Sequence, residues 1–337
     1  MRMWVLRSFL CGALALILTG CTGWQSVLDA HGAPAIRIYH LIMLITVVCT
    51  AVWILVVAIL LGAIWRRPDP QDSPLLKNPR VERRMSVLVI AAVIATVIII
   101  SGFTVASFFT TRGISVATAD SISIRVRSLQ WWWEITYVGG GPIPTVTTAN
   151  EIHIPVGRNV RLELESADVI HSFWVPSLAG KQDLIPGRQN ELTIRAERAG
   201  TYRGQCAEFC GLQHAHMALL VIAEEPADFA DWLTAQIGEA GEPSEAEAET
   251  GRQLFLSKPC GTCHAIRGTT AVGKNGPDLT HVGSRRTIAA GLFETTRGTL
   301  AAWIADPQTL KPGNNMPMVQ LSGDELRAIS AYMAGLK

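Results

Sequence analysis

Residues 202–221 read YRGQCAEFCGLQHAHMALLV, and between Cys206 and Met217 they crowd two cysteines, two histidines and a methionine into twelve positions. The plainest interpretation is a Cys206–Cys210 disulfide with surface histidines, the default for a bare cysteine pair outside the cell. Spacing argues against it. His214 lies four residues beyond Cys210 and Met217 three beyond that, so four soft or borderline donors can converge from one loop. Thiolate, imidazole and thioether together select copper over magnesium, calcium or manganese. Upstream, ADVIHSFWVP offers His171 at a strand end, flanked by apolar residues that could seal a dry site.

Outward from this stretch, residues 113–225 carry the period-two pattern of strands. Ile122, Ile124 and Val126 alternate with polar partners; Val160, Leu162 and Leu164 alternate with Arg161, Glu163 and Glu165; Leu192 and Ile194 follow suit. Gly141-Pro142 and Pro186-Gly187 punctuate them. The pattern predicts an all-β sandwich or barrel, with His153, between Ile152 and Ile154, on its surface. Residues 226–249 read as a short amphipathic helix followed by an acidic, solvated linker, EAGEPSEAEAET. Residues 250–337 read helical, with Trp303 and Ile304 in one segment and DELRAISAYMAGL in another.

The chain of 337 residues is 49% hydrophobic, 17% charged and carries a net charge of +1, a balance that does not suggest nucleic acid as a partner. Its apolar surplus lies in residues 36–65 and 85–109, each long enough to cross a bilayer. The loop between them, RRPDPQDSPLLKNPRVERR, holds six Lys/Arg while residues 22–35 hold none. The positive-inside rule puts that loop in the cytoplasm and everything beyond residue 110 outside. Ahead of the helices, MRMWVLRSFLCGALALILTGC has the basic start, apolar run and small residues of a secretory signal, although an uncleaved apolar helix would share them. Its end, Leu18-Thr19-Gly20-Cys21, resembles a bacterial lipoprotein signal, implying removal of residues 1–20 and acylation of Cys21, with 21–112 holding the membrane hairpin.

A second motif is legible by itself. CGTCH, Cys260 to His264, is a haem-attachment sequence: two thiols add to the haem vinyls and the adjacent histidine binds the iron. A zinc site would need another Cys or His nearby, and His281 has no companion. KPGNNMPM offers Met316 and Met318 as the other axial ligand.

Here a family resemblance enters. HSFWVPSLAGKQDLIPGRQN, then TYRGQCAEFCGLQHAHM, after a two-helix hairpin, resembles cytochrome c oxidase subunit II, whose outer domain is an all-β Greek-key cupredoxin. The resemblance implies a binuclear copper centre, CuA, bridged by Cys206 and Cys210. His171 and His214 would each cap one copper, with Met217 a weak ligand and the Glu208 backbone carbonyl another. It further implies that the Glu208 side chain meets a magnesium or manganese ion shared with subunit I, and that electrons come in at Trp131 of the Gln130–Trp133 aromatic stretch. Glu82 would lie at a proton-channel mouth. His216 misses the family spacing. The C-terminal region resembles the all-α class I cytochromes c. That implies one haem c on Cys260 and Cys263, His264 and Met316 as axial ligands, the Pro277 carbonyl accepting the His264 Nδ1–H, and Leu279 packed on the haem.

The combination resembles the caa-type haem-copper oxidases. It implies an electron-input subunit of a respiratory cytochrome c oxidase in a bacterial inner membrane, with both outer domains on the periplasmic side. Electrons would pass from haem c to CuA and on to the haem a and haem-copper site of subunit I, for O2 reduction coupled to proton pumping. Subunits I and III and a cytochrome c or other reduced donor are the implied partners. The residues alone leave open another CuA-using respiratory complex, such as a nitric oxide or nitrous oxide reductase, and a membrane-anchored redox carrier or copper-handling protein. Charge adds one expectation. Residues 113–225 hold nine Lys/Arg against twelve Asp/Glu, residues 226–249 seven acidic and no basic residues, and residues 250–337 ten basic against five acidic. The balance predicts transient electrostatic docking of the haem domain near Trp131, slowed by salt.

Overall fold

The computed structural model describes residues 22–66, 79–114, 121–139 and 145–337; the signal segment and Cys21 lie outside the described residues. The chain forms two units. One is a pair of long helices, α1 (Ala33–Trp65) and α2 (Pro79–Ile114), each long and apolar enough to cross a membrane; α2 buries no residue and α1 buries only Pro34 and Ala35, at its start. An apolar helix with almost no buried face suits an apolar surrounding. α2 begins ahead of the predicted apolar run, because Arg80, Glu82, Arg83 and Arg84 are good helix formers and continue it into the polar zone. Glu82 stands exposed in its first turn. Across the hairpin, the Arg37 guanidinium donates to the Gly113 carbonyl.

The other unit contains a ten-stranded sandwich. Its strands are β1 (Ile122–Leu129), β2 (Trp132–Tyr137), β3 (Val146–Ala149), β4 (Glu151–Pro155), β5 (Val160–Ser166), β6 (His171–Trp174), β7 (Gln182–Leu184), β8 (Asn190–Ile194), β9 (Gly200–Cys206) and β10 (Ala218–Glu224). One sheet runs β3-β2-β1-β5-β8, the other β4-β10-β9-β6-β7. The alternating residues predicted to face inward do so. Ile124, Val126, Val160, Leu162, Leu164 and Ile194 are fully buried, and they pack with Trp133 and Phe173 in one core. β9 and β10 pair antiparallel with Gln205 opposite Ala218, so Cys206–Met217 is the connection between two hydrogen-bonded strands.

His153 corrects the sequence reading, for it is buried. α3 (Pro226–Ile237) covers the outer face of β4, and Trp232 stacks on the imidazole at 4.0 Å between centroids. Alternation along β4 cannot show that a helix covers its second face.

The helical domain is built from α4 (Ala246–Ser257), α5 (Arg297–Ala305), α6 (Pro307–Leu310) and α7 (Gly323–Gly335) around Phe255, Ile266, Leu300, Ile329 and Tyr332. α4 starts inside the stretch read as linker. Glu247 and Glu249 sit in its first turn, where they favour the helix dipole. Ala240 packs on the helical core, and its N–H donates to Arg267 O at 3.1 Å. The acidic stretch is therefore laid along the domain. α4 and α7 cross closely at Gly251, where a Cβ would stand 2.0 Å from Ala328 O, so that position excludes every side chain.

Candidate functional site

The β9–β10 connection brings its donors close together, with Cys206, Cys210 and Met217 buried and His214 half-buried. The Sγ atoms of Cys206 and Cys210 stand 3.8 Å apart and both thiols are free. A disulfide needs about 2.05 Å, so that alternative is excluded. His171 Nδ1, at the start of β6, lies 3.9 Å from Cys206 Sγ, because β6 pairs with β9 and sets Phe173 opposite Cys206. His214 Nδ1 lies 3.5 Å from Cys210 Sγ, Met217 Sδ 3.9 Å from the same sulfur, and Glu208 O 3.2 Å from Cys206 Sγ. All six groups expected there are brought together. His216 points elsewhere, its Nδ1 2.9 Å from Gln213 Oε1.

The electrostatics suit a metal. The Cys206 thiol is pulled down to about 3, chiefly because Cys210 can donate to its thiolate, with His171 adding to the effect. Cys210 is pushed up, first because its partner already holds the negative charge and then by burial. The pair alone keeps one proton between two sulfurs, and a cation that takes both thiolates must displace it. Burial acts to push the His171 imidazole down, but Cys206 and Asp168 outweigh it and raise it. Asp168 Oδ1 fixes the ring at 2.8 Å from Nε2, the outer carboxylate that orients a ligating histidine. Its other oxygen accepts the Gln130 backbone N–H at 2.6 Å. Gln130 Nε2 and Trp131 Nε1 both donate to Cys210 O, at 2.8 and 3.0 Å. Trp131 thus touches the backbone of a cluster cysteine, and only 8% of it is exposed.

Glu208 presents its side chain outward, 3.6 Å from Lys181 Nζ. In the helical domain, Cys260 and Cys263 are free and sit in and just after the short turn Pro259–Thr262. His264 Nδ1 lies 2.8 Å from Pro277 O, as the resemblance to class I cytochromes c implied. Burial holds this imidazole below its ordinary value, hence neutral and able to give a lone pair. A Cβ on Gly276 would stand 2.6 Å from the ring, so the NGPDL loop lies flat against it. Leu279 packs on the helical core. Met316 is half-buried, its N–H held by Asn314 Oδ1 at 2.8 Å and its carbonyl by Gln308 Nε2 at 2.8 Å; Met318 is 60% exposed.

Asp168 and Gln130 were not foreseen. Asp168 lies three residues before His171, but nothing in a strand pattern predicts that a turn brings its carboxylate back to the ring.

These features define a class: a chain in which two helices long and apolar enough to cross a membrane precede a cupredoxin-type sandwich and a class I cytochrome c-type helical domain. The family described as cytochrome c oxidase subunit II, periplasmic domain, matches residues 134–224, and the family described as cytochrome c matches residues 248–337. Cytochrome c oxidase subunit 2 of Alkalihalophilus pseudofirmus is 35% identical over 331 residues, covering 96% of this chain and 95% of its own. The subunit 2 proteins of Bacillus sp. (strain PS3) and Bacillus subtilis are 28% and 33% identical, covering 97% and 65% of this chain and 96% and 63% of theirs. The chain belongs to the cytochrome c oxidase subunit 2 family, with a cytochrome c domain at its C-terminal end. Family membership makes it part of an oxidoreductase complex, on the electron-input side.

Proposed function

We propose that the chain receives electrons at a haem c, transfers them to a CuA centre, and delivers them to the haem a and haem-copper site of a subunit I for O2 reduction coupled to proton pumping. The observation that carries the copper reading is the pair of free, buried sulfurs 3.8 Å apart with two imidazoles and a thioether around them. Cys206 and Cys210 would bridge the metals, with His171, His214, Met217 and the Glu208 carbonyl as terminal donors. Cys260 and Cys263 would hold the haem, with His264 and Met316 on its iron. When bound, these groups supply one-electron redox chemistry at nearly constant geometry.

The protein's own part is to fix that geometry. Asp168 orients His171, and Gln130 and Trp131 pin the Cys210 backbone. The Pro277 carbonyl sets the His264 ring. The core around the sulfurs excludes water, which limits the reorganisation that each electron would otherwise drive. Phe209, between the cysteines, is exposed beside Glu208, an apolar group that suits burial against subunit I. The same reading makes Glu208 a ligand to magnesium or manganese at that contact, Glu82 a group at a proton-channel mouth, Trp131 the residue linking donor to copper, and subunit III a further partner. It also places both outer domains on the periplasmic side of a bacterial inner membrane.

Purification of the protein in mild detergent tests the function. The expected optical spectrum contains haem c, the near-infrared band of mixed-valence copper, and co-purifying haem a. Haem c and copper with no haem a or other partner chain would point instead to a free redox carrier.

A further inference from the structure

The cytochrome domain is seated on the sandwich by two buried charged groups that no ligand pattern includes. Lys311, from the loop that leads to Met316, is 2% exposed. Its Nζ donates to Trp131 O at 2.8 Å, to His216 O at 2.8 Å and to Ala289 O at 3.0 Å. An ammonium has three N–H bonds, and all three are taken by carbonyls, two of them across the domain boundary. Burial pulls Lys311 down to about 7, the penalty for a cation caged by carbonyls with no carboxylate beside it. The reciprocal contact comes from the sandwich. Glu151 at the start of β4 is buried, and one carboxylate oxygen accepts the backbone N–H groups of Arg286 and Thr287 at 2.6 and 3.0 Å. Between the two, Gln213 Nε2 donates to Pro312 O at 2.8 Å and the Ala218 N–H to Ala290 O at 3.0 Å. A Cβ on Gly313 would stand 3.6 Å from the Trp131 ring.

We propose that Lys311 and Glu151 are paired clasps that fix the cytochrome domain in one orientation, with Lys311 the positioning residue that seats the Met316 loop on Trp131. This rests on the electron-input reading above. Each clasp takes backbone partners of the other domain, so a rotated or displaced domain would leave a buried charge and several amides or carbonyls unpaired, a costly state. Trp131 then has the Met316 loop on one side and the Cys210 carbonyl on the other, and transfer proceeds within a fixed complex. Because buried polar contacts are screened far less than exposed charges, the sequence expectation of salt-sensitive, transient docking gives way to a salt-insensitive one. It follows that an external carrier reduces the haem, because Trp131 is covered.

The test uses the intact oxidase with Lys311→Met, and with Glu151→Gln, a residue outside both proposed ligand sets, as a second variant. Two quantities are read: hydrogen exchange at the Ala218, Arg286 and Thr287 amides, and flash-initiated transfer from haem c to copper across a salt series. In the wild type the amides are protected and the rate is constant up to about 0.5 M salt, where the screening length is only a few ångströms. In either variant the amides exchange faster, the rate drops by roughly tenfold or more, and it becomes salt-dependent, while the near-infrared and methionine–iron bands persist. Variants with wild-type exchange and rate would overturn the clasps, as would a wild-type rate that falls steeply with salt. Protected amides in a wild type that shows no haem-to-copper transfer would instead overturn the electron-input reading.

Discussion

Cys206 and Cys210 cannot stand in for one another. A bridged pair of metals needs two thiolates, and a serine oxygen is both harder and less readily ionised, a poor match to copper. Cys206→Ser and Cys210→Ser are each expected to abolish the near-infrared band and halt O2 consumption while the haem c spectrum stays intact. Normal O2 consumption in either variant would contradict the copper assignment. The methionines of the haem loop offer a cleaner contrast. Met316 is half-buried and held at both its N–H and its carbonyl, whereas Met318 stands in solvent. Met316→Ala should lower the haem potential, since a Met/His pair raises it, and open the iron to added ligands. Met318→Ala should do neither. Loss of the methionine–iron charge-transfer band in the Met318 variant would reverse the assignment.

At the scale of the element, β4 and α3 form a polar seam that has its own pH dependence. His153 Nδ1 lies 3.0 Å from Glu224 Oε2, Glu151 Oε2 is 3.9 Å from Nε2, and Trp232 lies flat on the ring. Burial acts to push this histidine down, but the two carboxylates outweigh it and hold it above its ordinary value of 6.5. A histidine whose folded value is raised contributes stability in full below its unfolded value, near 6.5, and loses it as pH climbs through the folded value. The thermal midpoint for loss of the near-infrared band should therefore fall as pH rises above about 6.5. His153→Phe, which keeps the stack on Trp232, should flatten that slope. An equal slope in wild type and variant would mean that another group is responsible. This seam also marks a limit of what sequence conveys. The alternation in β5 located every inward residue because the second face of that strand stays partly open, whereas His153 was misplaced because both faces of β4 are buried and the helix that covers the second comes some seventy residues later.

For the molecule as a whole, legibility followed chemistry. The proposed copper and haem donors were readable because each is a rare residue type at a spacing that a metal or a haem would set, and the fold places the six proposed copper donors near one another. Asp168, Gln130, Lys311 and Glu151 are common residues whose roles arise only from what the fold sets beside them. The charge count summed exposed and buried groups alike, and so could not show which of them meet at the contact between the outer domains. Lys311 and Glu151, which meet backbone partners across that contact, are not part of any surface field.

The order of strands in the second sheet has a temporal consequence. His171 reaches the sulfurs only because β6 pairs with β9, and β9 is completed by β10, which in turn pairs with β4. These pairings join distant parts of the chain, and non-local pairings form late. Until β6 pairs with β9, the Cys206–Met217 stretch lacks the His171 imidazole, which is fully buried in the folded chain. On the proposed ligand set, the donors would all come together only once β6 has paired with β9 and β9 with β10, so copper uptake would report completed folding of that sheet.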